Sequence, residues 1–278
     1  MSRARTPAAL GVDVGTTEVK AGAVSLDGRL LGLGRARHAS STDPATGRAE
    51  QDPDDWWAGM AAAIREALEA AAAHGPVDLV AMAVDGHGPT LVPTDGSGRA
   101  VRPAITWQDT RSTEEAAIVA GATGRQGWGL GVLPAARWLE GQDPRSAKAV
   151  RWYLNTWEAL ALRLTGRAIA VHVGATDPLT DAAIRAAGLD PARLPPPIRA
   201  GEVVGPVLPA VADALGLPRG LPVVAGVVDA YASLHGARML AAGDAIDVGG
   251  AAGGFGLYWD RPLAARGSFT SPAPLPDL

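Results

Sequence analysis

The stretch LGVDVGTTEVK at residues 10–20 constrains this chain more than any other. An apolar run breaks at Asp13, passes the small residues Gly15, Thr16 and Thr17, and resumes in a Val- and Ala-rich segment at 21–26. That pattern predicts a strand, a tight turn free of bulky side chains and a second strand. Gly15 allows the backbone to approach a ligand closely, and two hydroxyls with neighbouring N–H groups make a concavity suited to phosphate oxygens. Asp13, at the strand end, stands where it can hold a hydrated Mg²⁺ beside them. An ordinary hairpin with a polar turn fits the same residues.

Length and charge narrow the possibilities. A chain of 278 residues suggests about two domains with a sizeable core. With 47% hydrophobic and 19% charged residues it belongs with globular rather than disordered proteins. A net charge of -4 provides no electrostatic footprint for nucleic acid. Lys20 and Lys148 are the only lysines and no GxxxxGK[ST] occurs, so a nucleotide must be held by something other than a Walker-type loop. The lack of cysteine excludes disulfides, thiolate nucleophiles and cysteine metal sites, and agrees with a reducing cytoplasm. Asp13 cuts the first apolar run too early for a signal peptide, and Asp229 interrupts the long apolar segment at 221–234. The expectation is a cytoplasmic protein without membrane or nucleic-acid partners.

Along the chain, Asp27-Gly28 marks a tight turn into a third strand at 30–37, completing an antiparallel meander. Residues 40–48 read as a polar loop. Asp52, Pro53, Asp54 and Asp55 open a helix of roughly 20 residues that closes before Gly75-Pro76, with Trp56 and Trp57 as core or staple residues. Residues 77–84 read as a strand buried on both faces, ending in the polar turn Asp85-Gly86-His87-Gly88-Pro89. Turns at a strand's C-terminal edge are where open α/β sheets place ligands. Residues 90–93 and 100–106 form a hairpin-like unit that delivers Trp107-Gln108-Asp109-Thr110-Arg111, ahead of a helical run at 112–120. An aromatic face, an amide, a carboxylate and a guanidinium within five residues suit a polyol, and a charged helix start explains them equally.

Residues 121–131 read as a glycine-rich mobile loop, 133–140 and 155–165 as helices, 191–199 as a proline-rich loop, 209–216 as a short helix and 221–226 as a strand. Trp128, Trp138, Trp152 and Trp157 are expected mostly in the core. The strand leads through Gly226 to Asp229 at the start of an apolar helix. Asp229 is suited to cap that helix, or, with burial raising its pKa, to act as a general base. Ile246-Asp247-Val248-Gly249 then repeats Val12-Asp13-Val14-Gly15, which suggests a second phosphate-facing hairpin through Gly249 and Gly250.

Asp13-Val-Gly-Thr-Thr, Glu50-Gln-Asp-Pro with Trp56-Trp57, Asp85-Gly-His-Gly, Trp107-Gln-Asp-Thr-Arg111, Leu164-Thr-Gly166, Gly201-Glu-Val-Val-Gly205 and Val223-Val-Ala-Gly-Val-Val-Asp229 occur in that order. Together they resemble the FGGY carbohydrate kinases, xylulokinases above all. The resemblance implies an α/β, ribonuclease H-like fold of the actin and hexokinase type, a mixed sheet with flanking helices. It implies a sugar-binding N-terminal domain over 1–240 and the beginning of an incomplete nucleotide-binding C-terminal domain over 241–278. It also implies ATP-dependent phosphorylation of a ketose or polyol hydroxyl with Mg²⁺. By position, Asp229 would be the catalytic base and Asp13 would position the metal. Gly15, Thr16, Thr17, Gly249 and Gly250 would face the phosphates. Asp85, Gly86, His87, Trp107, Asp109 and Arg111 would line the sugar site.

Two sites depart from the family pattern: Gly249-Gly250-Ala251 replaces Gly-Thr-Ser, and Ala230 replaces the Asn after the catalytic Asp. Family members run about twice as long, so the expectation is weak sugar binding and little ATP turnover by this chain alone. Either the chain is a fragment or split gene product, or a complementing second-domain chain supplies the remainder, and an exposed apolar sheet edge would favour a homodimer. The alternatives are a non-catalytic sugar-binding or regulatory relative and, less well matched, an actin-like or chaperone-type ATPase.

Overall fold

The computed structural model describes residues 5–172, 178–239, 241–247, 249, 254–261 and 263. Strands β1 (Thr6–Val14), β2 (Glu18–Ser25) and β3 (Leu30–Arg37) form the expected antiparallel meander, with Gly28 at φ 88° in the second turn. Where the sequence reads as a loop there is a small hairpin, β4 (Ser41–Asp43) and β5 (Arg48–Gln51). Its turn is closed by Asp43, whose Oδ1 accepts from Ala45 N at 3.1 Å and whose Oδ2 accepts from Thr46 Oγ1 at 2.8 Å.

Helix α1 (Pro53–Ala72) starts where its capping signals place it, with Asp52 Oδ1 accepting from Asp54 N at 2.9 Å. Trp56, Gly59, Met60, Ala63, Ile64, Ala67 and Ala71 recur at helical spacing and are buried against the meander. The approach is close. A Cβ on Gly32 or Gly34 would lie 2.1 Å from the carbonyl oxygen of Ala67 or Ala63, so α1 rests directly on the β3 backbone.

Strand β6 (Val77–Gly86) runs parallel to β1. It is not buried along its whole length, contrary to its apolar composition: Met82, Val84 and Gly86 are buried, while Val80, skipped where pairing to β1 passes from Leu79 to Ala81, is 40% exposed. Strands β7 (Val92–Thr94) and β8 (Ala104–Ile105) form the expected hairpin-like unit through the bridges Leu91–Ile105 and Thr94–Ala100, and β8 also pairs with β5. A helical layer follows, α2 (Thr113–Thr123), α3 (Leu133–Gln142) and α4 (Pro144–Ala149), with its own core around Val119, Leu133, Leu139 and Tyr153. Helix α2 continues through Gly121 to a left-handed cap at Gly124, which shortens the expected loop.

Strand β9 (Trp152–Leu154) pairs with β7 and leads into α5 (Thr156–Thr165). A capping box of Asn155 and Glu158 starts α5, and Gly166 ends it at φ 74°. After β10 (Ala170–His172) and α6 (Asp181–Ala186), the proline-rich loop contains a short strand, β11 (Pro197–Arg199), paired with β10. Then come β12 (Val203–Pro206), α7 (Pro209–Leu215), β13 (Pro222–Val228) and α8 (Asp229–Gly236). Strands β14 (Ala245–Asp247) and β15 (Phe255–Leu257) make a separate antiparallel hairpin. The tryptophans are less buried than expected: Trp157 is in the core, Trp138 and Trp152 lie under the guanidinium groups of Arg111 and Arg151, and Trp128 is 47% exposed.

The main sheet has the order β12-β13-β6-β1-β2-β3. From β1 the chain builds outward on one side through β2 and β3, and on the other through the parallel strands β6 and β13. Such a reversal leaves a crevice at the C-terminal ends of the parallel strands. Among the described residues no helix is long and apolar enough to cross a membrane.

Candidate functional site

Three carboxylates lie along that edge. The parallel register sets Asp13 of β1 directly opposite Asp85 of β6, and Val228 of β13 opposite Gly86, so Asp229 follows at the first position of α8. Neighbouring strands lie about 4.8 Å apart, so Asp13 and Asp85 are adjacent and Asp229 stands about two strand spacings from Asp13. Lys20 Nζ lies 3.0 Å from Asp13 Oδ2. Lys20 is an unforeseen member of the cluster, although the hairpin register that pairs Asp13 with Lys20 was available from the turn length.

The electrostatics follow from crowding and burial. Asp13 Oδ1 and Asp85 Oδ1 are both buried and find no hydrogen-bond partner among the described residues. Accordingly burial, then the charge and hydrogen bond of Asp13, then the charge of Asp229 push the Asp85 carboxyl up to about 9, with Lys20 opposing. Burial also raises Asp229, the direction its apolar flanks predict. The Ala230 N–H that Asp229 Oδ1 accepts at 2.7 Å pulls the other way, and the charge of Asp13 adds to the rise.

Beside the acids lies the Gly15–Thr17 turn. Its carbonyls are engaged: Gly15 O accepts from His38 Nε2 at 2.9 Å, Thr16 O from Gln51 Nε2 at 2.8 Å and Thr17 O from His38 N at 3.3 Å. The N–H groups of Thr16 and Thr17 have no acceptor among the described residues. Trp107 Nε1 donates to Thr16 Oγ1 at 3.1 Å, which joins the 107–111 cluster to this turn.

The remaining expected site residues are placed differently. His87 is 1% exposed, packs edge-on against Trp56 with centroids 5.2 Å apart, and shares a hydrogen bond with Thr90 Oγ1 through Nδ1 at 2.9 Å. Burial lowers its pKa to about 3, so the ring is neutral. Gly86 faces inward, where a Cβ would meet Thr156 Cγ2 at 2.7 Å. Both Asp109 oxygens are occupied, by Arg111 at 2.7–3.0 Å and by Ala49 N at 2.8 Å. Arg111 also reaches Glu50 Oε1 at 2.6 Å and lies over Trp138, and Arg102 bonds the same Glu50 oxygen. This ion-pair network ties β5 to the helical layer. Gly249 is exposed, and Gly250 lies outside the described residues.

A hydrated divalent cation fits the chemistry here. Among the described residues no three His, Asp or Glu side chains converge as a ligand set. The orphaned Asp13 Oδ1 is nonetheless a hard oxygen beside free N–H groups, the setting in which Mg²⁺ is held by one carboxylate, waters and phosphate oxygens.

Comparison with known proteins settles the lineage. Residues 8–236 match the N-terminal domain of the FGGY family of carbohydrate kinases. The chain belongs to this family. It is 31% identical to the xylulose kinase of Streptomyces coelicolor over 96% of this chain and 58% of that protein, and 33% identical to that of Streptomyces rubiginosus over 85% and 51%. The crystal structure of xylulose kinase from Rhodospirillum rubrum superposes with a TM-score of 0.77 at 27% identity, covering 86% of this chain and 53% of that one. Plasmodium falciparum glycerol kinase with ADP shares the fold at TM-score 0.74 and 17% identity, covering 87% and 52%. The architecture is therefore the ribonuclease H-like fold of the actin and hexokinase type. The FGGY chain spans about half the length of the curated relatives it matches.

Proposed function

We propose that the chain carries the sugar side of an ATP-dependent carbohydrate kinase of the xylulokinase kind, acting in the cytoplasm on an open-chain ketose or polyol. The observation that carries this reading is the register that puts Asp229 at the same strand edge as Asp13, next to a turn with two unpaired N–H groups. Phosphoryl transfer asks a protein mainly for positioning, charge stabilisation and one group to orient the nucleophile. Asp229 is that group: its raised proton affinity suits acceptance of the sugar hydroxyl proton. The Gly15, Thr16 and Thr17 turn receives phosphate oxygens, with Gly249 and Gly250 in the same role from the second hairpin. Asp13, braced by Lys20, holds the hydrated Mg²⁺ of MgATP, which when bound neutralises charge on the phosphates.

Asp85 and Trp107 border the sugar in this reading, while Gly86, His87, Asp109 and Arg111 act from behind as its frame, because their polar or packing contacts are already made. Residues 1–240 constitute the sugar-binding domain and 241–278 open the nucleotide-binding domain. The exposed Phe255, Leu257 and Trp259 suit a second copy or a complementing second-domain chain. Two measurements test the proposal. Calorimetry against xylulose, ribulose, fuculose and glycerol gives saturable heat with at least one. A coupled ADP-release assay, with and without an added FGGY C-terminal domain, gives sugar-dependent turnover that Asp229→Asn lowers about 10²–10⁴-fold with sugar affinity retained. Full turnover by that variant removes Asp229 from the role of base, and no heat with any sugar removes the site.

A further inference from the structure

The phosphate turn is gripped from behind by two side chains that the chemistry does not touch. In a trans peptide unit the C=O and the following N–H point in opposite directions. Fixing a carbonyl on one side therefore fixes the next residue's N–H on the other. His38 Nε2 holds the Gly15 carbonyl, which turns the Thr16 N–H outward, and Gln51 Nε2 holds the Thr16 carbonyl, which turns the Thr17 N–H outward. Because a carbonyl only accepts, His38 carries its proton on Nε2.

Gln51 is itself immobilised. It is 3% exposed, its Oε1 accepts from Trp56 Nε1 at 2.8 Å, and its Nε2 also donates to Ser40 Oγ. Its location on β5 is fixed by pairing to β4 and β8. Strand alternation sends Gln51 to the phosphate turn and its neighbour Glu50 to Arg102 and Arg111. One short strand thus holds the turn through Gln51 and the ion-pair network through Glu50.

We propose that Gln51 and His38 are positioning residues that pre-orient two successive peptide units, so that the Thr16 and Thr17 N–H groups meet a phosphate oxyanion without reorganising. Preorganised donors of this kind bind charge more strongly than mobile ones. The inference rests on the phosphate reading of the turn given above, and the test separates the two.

The ¹⁵N-labelled 278-residue chain is titrated with magnesium tripolyphosphate while the Thr16 and Thr17 amide resonances are followed. The native chain shows saturable shifts at both. Gln51→Glu keeps the acceptor for Trp56 but loses the donor to Thr16 O. It weakens binding about tenfold and diminishes the Thr17 response first, the equivalent of about one hydrogen bond. His38→Phe does the same at Thr16, and His38→Gln, which retains an N–H donor, restores the response. A purely structural role would lower thermal stability without this residue-by-residue pattern. Folded Gln51→Glu and His38→Phe chains that bind tripolyphosphate with native affinity and native shifts overturn the proposal. If Gln51→Glu does not fold, the two His38 variants decide it. No response at Thr16 or Thr17 in the native chain refutes the phosphate reading itself, and the inference with it.

Discussion

Gly226→Ala is the substitution on which the geometry of the site is most exposed. Gly226 lies on β13 at the irregularity where pairing to β6 skips from Ala225 to Val228. A Cβ there would stand 2.0 Å from the Val84 carbonyl oxygen and 2.7 Å from its carbon, whereas ordinary contact begins at 3.4 Å. Both obstacles are backbone, so the strands must part by more than an ångström. Overpacking of this kind costs about 1–3 kcal/mol, and loss of one or two strand hydrogen bonds adds about 1 kcal/mol each. The expected destabilisation is about 3–4 kcal/mol, or roughly 6–16 °C in melting temperature for a chain of this size. Gly11→Ala is the matched control, because its Cβ meets nothing within 4 Å on the exposed face of β1. It should be neutral or stabilising by a few tenths of a kcal/mol to about 1 kcal/mol. Thermal and urea unfolding of the two variants in parallel make the comparison. A Gly226→Ala chain within about 0.5 kcal/mol of the native one would refute the claim that β13 is packed against β6 closely enough to set where Asp229 stands.

Two further outcomes follow from the charges. The folded chain retains the Asp85 proton up to about pH 9, whereas the unfolded chain releases it near 3.8, so this group makes stability fall as pH climbs through that interval. Asp85→Asn should raise stability at pH 8 and flatten the pH profile between about 5 and 8, read by urea midpoints at each pH; an unchanged profile would show that Asp85 is ionised in the fold. Arg111→Ala leaves the buried Asp109 and Glu50 carboxylates without their shared partner and should cost about 3–5 kcal/mol in chemical denaturation. Arg111→Lys should recover only part of this loss, because an ammonium cannot reproduce the guanidinium fork. Native stability in either variant would show that the network is dispensable.

Some parts of this molecule were legible from local pattern alone. Alternation and the Asp27-Gly28 turn announce the meander, and Asp52-Pro53 with a 3- and 4-residue apolar spacing announces α1, because caps, turns and amphipathic periods act within a few residues. Asp13 and Asp229 could be singled out because each interrupts an apolar run. The β4–β5 hairpin escaped notice because its strands are short and polar, and are held by β8 from a distant part of the chain. Likewise nothing near Trp138 or Trp152 in the sequence reveals the arginines stacked on them.

The residues alone determined the meander, α1, β13 and which carboxylates lie at strand ends. They did not determine that Asp85 faces Asp13 and is pushed up by burial there, that Asp109 spends both oxygens on Arg111 and Ala49, or that His38 and Gln51 hold the Gly15–Thr17 turn. The first of these depends on parallel pairing across a long crossover, and the contacts of His38, Gln51 and Ala49 on segments brought together from elsewhere in the chain, so packing over the whole sheet decides them rather than any local signal. Burial, which shifts the acids, exists only once the chain has closed around them.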